Sequence, residues 1–292
     1  MIGALSRRAF LATGLAAVAT PALAARSPWP LGVQLWSVHA ELTADFEPTL
    51  RRLAKIGYAR VETAGLHGRT PKVFRKALDE AGLTCDSAHV SMPDLRDNPD
   101  AAIAMARDLG AKYLVCGSPA PLRPLQKGLD WNTALARAMT LDDWKHNAEL
   151  LNRFDAMAAK AGLRMGYHNH LAEAGLYEGV RAYDVLLART QPDLVCMELD
   201  VAWAAAGGLD PAALIKAHGA RIELLHLKDL MARPDPGRVI TTTEVGRGVI
   251  DWTAVIAAAR AAGVRAAFVE QEPPYARPVL ESLRISRDFL IG

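Results

Sequence analysis

The chain has 292 residues, 51% of them hydrophobic and 23% charged, with a formal net charge of only +2. That is enough apolar material for one barrel-sized core, and without a block of like charges in its body nothing calls for a nucleic-acid or acidic-membrane partner. Cys85, Cys116 and Cys196 each stand alone in an apolar run, which excludes a disulfide framework and a zinc knuckle and leaves them as small buried hydrophobes.

At the amino terminus, Ser6-Arg7-Arg8-Ala9-Phe10-Leu11 opens an Ala-rich apolar stretch that ends at Ala22-Leu23-Ala24. This is the pattern of an export signal of twin-arginine type. Its apolar run, about Ala9 to Ala19, is shorter than the roughly 20 residues of a membrane span. Residues 1–25 are therefore expected to be cleaved, leaving residues 26–292 as a periplasmic domain with no stable membrane anchor. Without Arg7 and Arg8 the mature chain is close to neutral.

From Gly32 onward one unit recurs: a short β-rich run, a loop, an amphipathic helix, and a glycine that closes the helix before the next run. The expected strands are Gly32 to Trp36, Arg60 to Ala64, Leu83 to His89, Tyr113 to Cys116, Arg164 to His168, Leu194 to Asp200, Ile222 to Lys228 and Ala266 to Gln271. Gly57, Gly82, Gly110, Gly162, Gly219 and Gly263 precede six of them. The series predicts an α/β fold, a single (β/α)8 TIM barrel. The longest helix, Leu141 to Lys160, carries a stripe of Trp144, Ala148, Leu151, Phe154, Ala158 and Ala161 for the barrel wall. Two aperiodic segments, Gly117 to Gly128 and Met231 to Gly248, follow strands and so rise over the active face.

Polar residues collect where the later strands end: Tyr167-His168-Asn169-His170, Glu198-Leu199-Asp200, His226-Leu227-Lys228-Asp229 and Glu270-Gln271-Glu272. Alternation along a strand puts Glu198 with Asp200, His226 with Lys228, and His168 with His170. A carboxylate, an imidazole and a second carboxylate from neighbouring strands make a mixed N/O set suited to one divalent ion of manganese, cobalt, zinc or magnesium. Trp36, His89 and Trp203 stand at the expected mouth as substrate contacts, aromatic faces being suited to sugar rings. Glu62 reads as an ordinary strand-end salt bridge, and Arg247 as either an anion contact or a loop-anchoring ion pair. No glycine-rich phosphate fingerprint is present.

The ordered motifs Glu198-Leu199-Asp200-Val201-Ala202-Trp203, Gly207-Gly208-Leu209-Asp210-Pro211, Leu225-His226-Leu227-Lys228-Asp229, Glu244 to Trp252 and Val269-Glu270-Gln271 resemble the sugar phosphate isomerase/epimerase family of xylose isomerase-like barrels. The resemblance implies a divalent metal at Asp200, His226 and Glu270 with a fourth ligand from strand five. Many relatives have a glutamate there. Here His168 or His170 takes its place; counting from the helix-closing glycines does not decide between them, and we take His168. The implied activity is isomerisation or epimerisation of a sugar or keto-sugar by proton abstraction through a metal-stabilised enediolate. Glu270 is the candidate base, with His170 or Lys228 as the second acid/base group.

With a leaving group β to the abstracted proton, the same site eliminates instead, making a lyase or hydrolase-type enzyme for 3-keto-glycosides. Two other readings are weighed: a non-catalytic sugar-binding protein, suggested by the missing strand-five glutamate, and a DNA-repair endonuclease of the same superfamily. Trp203, standing where that endonuclease needs a further ligand, and the near-neutral mature chain argue against DNA. The expected partner is a small carbohydrate, with self-association into a homo-oligomer left open.

Overall fold

The computed structural model describes residues 26–232 and 240–292. The export-signal pattern, residues 1–25, lies outside the described residues, as does the middle of the expected loop from Met231 to Gly248. Eight parallel strands close into a barrel: β1 (Gly32–Gln34), β2 (Arg60–Ala64), β3 (Thr84–Ser91), β4 (Tyr113–Ser118), β5 (Arg164–His168), β6 (Val195–Asp200), β7 (Ile222–Leu227) and β8 (Ala266–Val269). Closure comes from β1, which pairs with β2 through Val33↔Val61 and with β8 through Val33↔Val269. The principal wall helices are α1 (Phe46–Ile56), α2 (Pro71–Ala81), α3 (Pro99–Leu109), α4 (Leu141–Ala158), α5 (Ala182–Arg189), α6 (Pro211–His218), α7 (Trp252–Ala262) and α8 (Val279–Ile291). No helix among the described residues is long and apolar enough to cross a membrane.

The barrel is filled in layers, as side chains two apart on one strand share a face. Cys196, Leu224 and Phe268 belong to an interior cluster with Tyr113, Val115 and Ala266. Two residues further along the same strands come Glu198, His226 and Glu270. One step thus separates an aliphatic plug from a charged layer. A register shift between Met197 and Glu198 changes the pairing of β6 with β7, so that Asp200 comes opposite His226. Bulges of this kind re-aim side chains beside functional sites.

The expected and observed elements differ at their ends. β1 stops at Gln34 because Leu35–Val38 turns into a 3-10 helix, which Gln34 caps by accepting from Trp36 N at 3.0 Å. Five of the six helix-closing glycines, Gly57, Gly82, Gly110, Gly162 and Gly263, have positive φ as capping requires. Gly219 does not: its φ of −54° is open to any residue. What requires glycine there is space, since an added Cβ would stand 2.5 Å from Ala262 Cβ where α6 meets α7.

The Glu244 to Trp252 motif is explained by folding. Asp229, fully buried after β7, accepts hydrogen bonds from the backbone N–H groups of Leu230, Gly246, Gly248 and Ile250 and from the Trp252 indole, at 2.7–3.1 Å. Gly248 is needed for this approach, because a Cβ would meet Leu230 O at 2.1 Å. Asp229→Ala leaves several buried donors unpaired and is expected to destabilise the protein by about 3 kcal/mol or more, read from urea unfolding midpoints. Arg247 is exposed on this loop and its side chain makes no hydrogen bond or ion pair among the described residues.

Candidate metal centre

The charged layer is built by strands from both halves of the barrel. Asp200, His226 and Glu270, at the ends of β6 and β7 and after β8, are buried, and one ligand atom from each lies within 4.8 Å of the others. His226 Nδ1 is 2.9 Å from Glu270 Oε2 and 3.8 Å from Asp200 Oδ2. His168 Nε2 stands 3.9 Å from Asp200 Oδ2, so the strand-five candidate faces this trio. Its nearer carboxylate is Glu198, with Nδ1 to Oε2 at 3.1 Å, and His168 groups more tightly with His89, Glu198 and His226.

Two carboxylates that sequence reasoning underweighted sit at the centre. Glu198 is fully buried, 2.7 Å from His89 Nε2 and 3.2 Å from His226 Nε2. Glu62, expected as a rim salt bridge, is also fully buried; it accepts from Gln34 Nε2 at 2.8 Å and lies 2.5 Å from His226 Nε2 and 2.9 Å from His89 Nε2. The spacing of Glu198 and Asp200 on one strand face was the available signal for the first. For Glu62 the sequence had only its place near a strand end.

These contacts divide the titratable groups. Burial pulls the His89 imidazole down, but the Glu62 and Glu198 carboxylates outweigh it and hold its pKa at about 9. Burial likewise opposes charge on His226, which Glu198, Glu270 and Glu62 raise well above the usual value. His168 is driven the other way, by burial and then by the neighbouring His226, His170 and His89, and is neutral. Burial raises Asp200 to about 6 against the pull of Lys228 and His226.

Lys228, a candidate acid/base group, is fully buried with its Nζ 2.9 Å from Asp200, 2.7 Å from Glu270 and 2.6 Å from Glu272. Burial disfavours its charge, yet the three carboxylates raise its pKa well above the ordinary lysine value, so it is an ammonium that can donate but not accept. His170, the other candidate, is lowered by burial and by Lys228 to about 3 and is neutral. Its ring packs 4.8 Å from Trp131 and 4.7 Å from His168.

Below the His-Asn-His turn, Glu173 accepts from the Tyr167 hydroxyl at 2.5 Å and from His170 N at 3.0 Å. Burial raises its carboxyl to about 7, against the pull of these hydrogen bonds. The native state therefore keeps a proton that the unfolded chain, with a value near 4.5, has released, and the stability this group contributes is lost as pH rises from 4.5 through about 7. Between those limits the unfolding free energy of the wild type is expected to fall by about 3 kcal/mol relative to Glu173→Gln. Parallel pH profiles for the two proteins would refute this.

The donor chemistry fits a divalent cation. Asp200 Oδ2, Glu198 Oε1 and Glu62 Oε2 are buried without a hydrogen-bond partner, Lys228 lying near Asp200 Oδ2 without hydrogen-bond alignment. Unsatisfied buried carboxylate oxygens beside imidazole nitrogens are what a hard or borderline cation satisfies. Asp200, His226 and Glu270, with His168 facing them, would hold it.

A cavity of about 980 Å³ reaches this layer at His89 and is lined also by His170, Trp203, Glu272 and Trp36. All three residues expected as substrate contacts, Trp36, His89 and Trp203, are thus on its wall.

The profile of the xylose isomerase-like TIM barrel family matches residues 50–291. An inosose dehydratase of Geobacillus thermodenitrificans is 27% identical over 263 residues, which cover 82% of this chain and 87% of that protein. A second, from Geobacillus kaustophilus, is 25% identical over 199 residues, and this match spans 63% of the chain and 62% of that relative. Among solved structures, a sugar phosphate isomerase/epimerase from Parabacteroides distasonis superposes with a TM-score of 0.70 at 26% identity, covering 89% of this chain and 97% of that one. The IolI protein, solved with a bound zinc atom, superposes with a TM-score of 0.67 at 15% identity over 89% of this chain and 96% of that one, a likeness of fold.

Proposed function

The chain belongs to the xylose isomerase-like TIM barrel family, and we propose that it is a divalent-metal-dependent enzyme that removes the proton beside the carbonyl of a small keto-sugar. The observation that carries this is the convergence of Asp200, His226 and Glu270, from three neighbouring strands, upon one point, beside a cavity that their neighbours His89, His170, Trp203 and Glu272 line. A divalent cation held there supplies Lewis-acid stabilisation of the negative charge that develops on the substrate oxygens.

The protein's own groups do the rest. Glu270, whose pKa is lowered by Lys228 and His226 against the effect of burial, is ionised and stands as the base. Lys228, 2.7 Å from it, holds the proton that can be returned. Neutral His170, with Nδ1 buried and unpartnered, offers a hydrogen bond to a sugar hydroxyl, and Trp203 and Trp36 offer faces to the ring.

After proton removal two outcomes share the site. Return of the proton to a different carbon or face isomerises or epimerises the sugar. Loss of a group β to that carbon makes the enzyme a lyase, and the inosose dehydratase relatives favour this second outcome. Export of the mature chain to the periplasm goes with the same proposal, since glycosides from outside the cell are met there.

Incubating the metal-loaded protein in deuterium oxide with a panel of ketoses, aldoses and 3-keto-glycosides tests the reading. Deuterium at the carbon beside the carbonyl, without loss of a substituent, identifies an isomerase or epimerase; an unsaturated product identifies elimination. Absence of both across the panel would overturn the proposal in favour of a sugar-binding protein.

A further inference from the structure

The cavity is larger and less polar than a single sugar ring requires. At about 980 Å³ it stands at the top of the roughly 300–1,000 Å³ of small-molecule sites, and one hexose at its inner end fills only part of it. The candidate metal ligands come mainly from β6, β7 and the end of β8, whereas the cavity continues over the tops of β2, β3 and β4. Its walls there are Leu66, Val90, Ala102 and Met105, with Trp36 and Trp131 beside them. These two indoles are 49% and 39% exposed, a large aromatic area left open beside a pocket.

The charge of the lining points the same way. Among the described residues its lining carries the carboxylates Asp94, Asp97 and Glu272 and no lysine or arginine, and the His89 imidazole, its one cationic group, is already paired with Glu62 and Glu198. Asp94 accepts from the Ser91 hydroxyl and Asp97 from Arg96, while Glu272 is paired with Lys228 beneath the surface. A phosphate dianion here would face like charges.

We propose that the part of the cavity over β2 to β4 is a subsite for a flat apolar ring, so that the substrate is an uncharged sugar bearing an apolar substituent and not a sugar phosphate. The orientation, sugar toward the metal centre and substituent toward Met105 and Trp131, rests on the proton-abstraction reading above. The apolar subsite itself does not.

Binding of four probes, phenyl β-D-glucopyranoside, methyl β-D-glucopyranoside, glucose and glucose 6-phosphate, is followed by tryptophan fluorescence. Burial of the phenyl ring is expected to tighten binding at least about tenfold over the methyl glycoside, and the phosphate to bind no more tightly than glucose. Met105→Gln should shrink the phenyl-to-methyl ratio toward one while leaving the methyl glycoside unchanged, and Trp131→Ala, which also removes the ring packed on His170, should shrink the same ratio. A ratio near one in the wild type, a ratio unmoved by both variants, or tighter binding of glucose 6-phosphate overturns the proposal. Neither deuterium exchange nor an unsaturated product, with an intact ratio, would sink the catalytic reading alone, and either of them with a ratio of one would sink the subsite alone.

Discussion

Asp200→Asn is expected to lower the rate of solvent-deuterium incorporation by about a thousandfold or more, the scale of losing a preorganised charge-stabilising group at the reacting centre. The substitution separates the two roles of this side chain. Oδ1 accepts from Trp203 N at 2.8 Å and caps the short helix Val201–Ala206, a bond the amide oxygen of asparagine can keep. Oδ2 is the buried, unpartnered oxygen facing His168 and His226, and an amide NH2 in its place cannot ligate a cation. The variant should therefore fold, as judged by circular dichroism, and fail. Exchange within tenfold of wild type would show that Asp200 does no more than cap a helix.

The second large effect is on stability. Lys228→Met removes the one ammonium placed among Asp200, Glu270 and Glu272, all within 2.9 Å of it. Methionine fills the stem's space but leaves the carboxylates without that counter-charge, and breaking a buried ion pair from one side costs about 3–5 kcal/mol. Urea unfolding of the metal-free proteins should report a loss of this size, and added manganese should reduce it by restoring positive charge to the layer. A metal-free difference below about 1 kcal/mol would contradict the ionic account.

The fold was legible because its signals are local and repeated. Period-two and helical apolar patterns with closing glycines recur often enough that misjudged ends, such as Trp36 or Gln271, do not disturb the topology. Gly219 was read for the wrong reason: sequence shows a glycine before a strand, but its neighbour across the helix pair, Ala262, is fixed only by tertiary packing. The Asp200, His226 and Glu270 cluster could be read because each closes an apolar run on successive late strands. Glu62 could not, because His226 is 164 positions away and meets it only across the closed barrel, and His89, on the strand paired with its own, gives no sign in sequence of turning toward it. The protonation of Lys228 was also beyond the sequence, since it depends on Asp200, Glu270 and Glu272 together, and Glu272 lies past the last strand with its side chain turned back.

Equilibrium dialysis of the protein against manganese, followed by elemental analysis, tests the central claim most directly. The arrangement of Asp200, His226 and Glu270 predicts about one tightly held ion per chain, retained on dialysis against metal-free buffer and lost in Asp200→Asn. Wild-type protein that retains no ion, or a folded Asp200→Asn variant that retains as much as wild type, would contradict it.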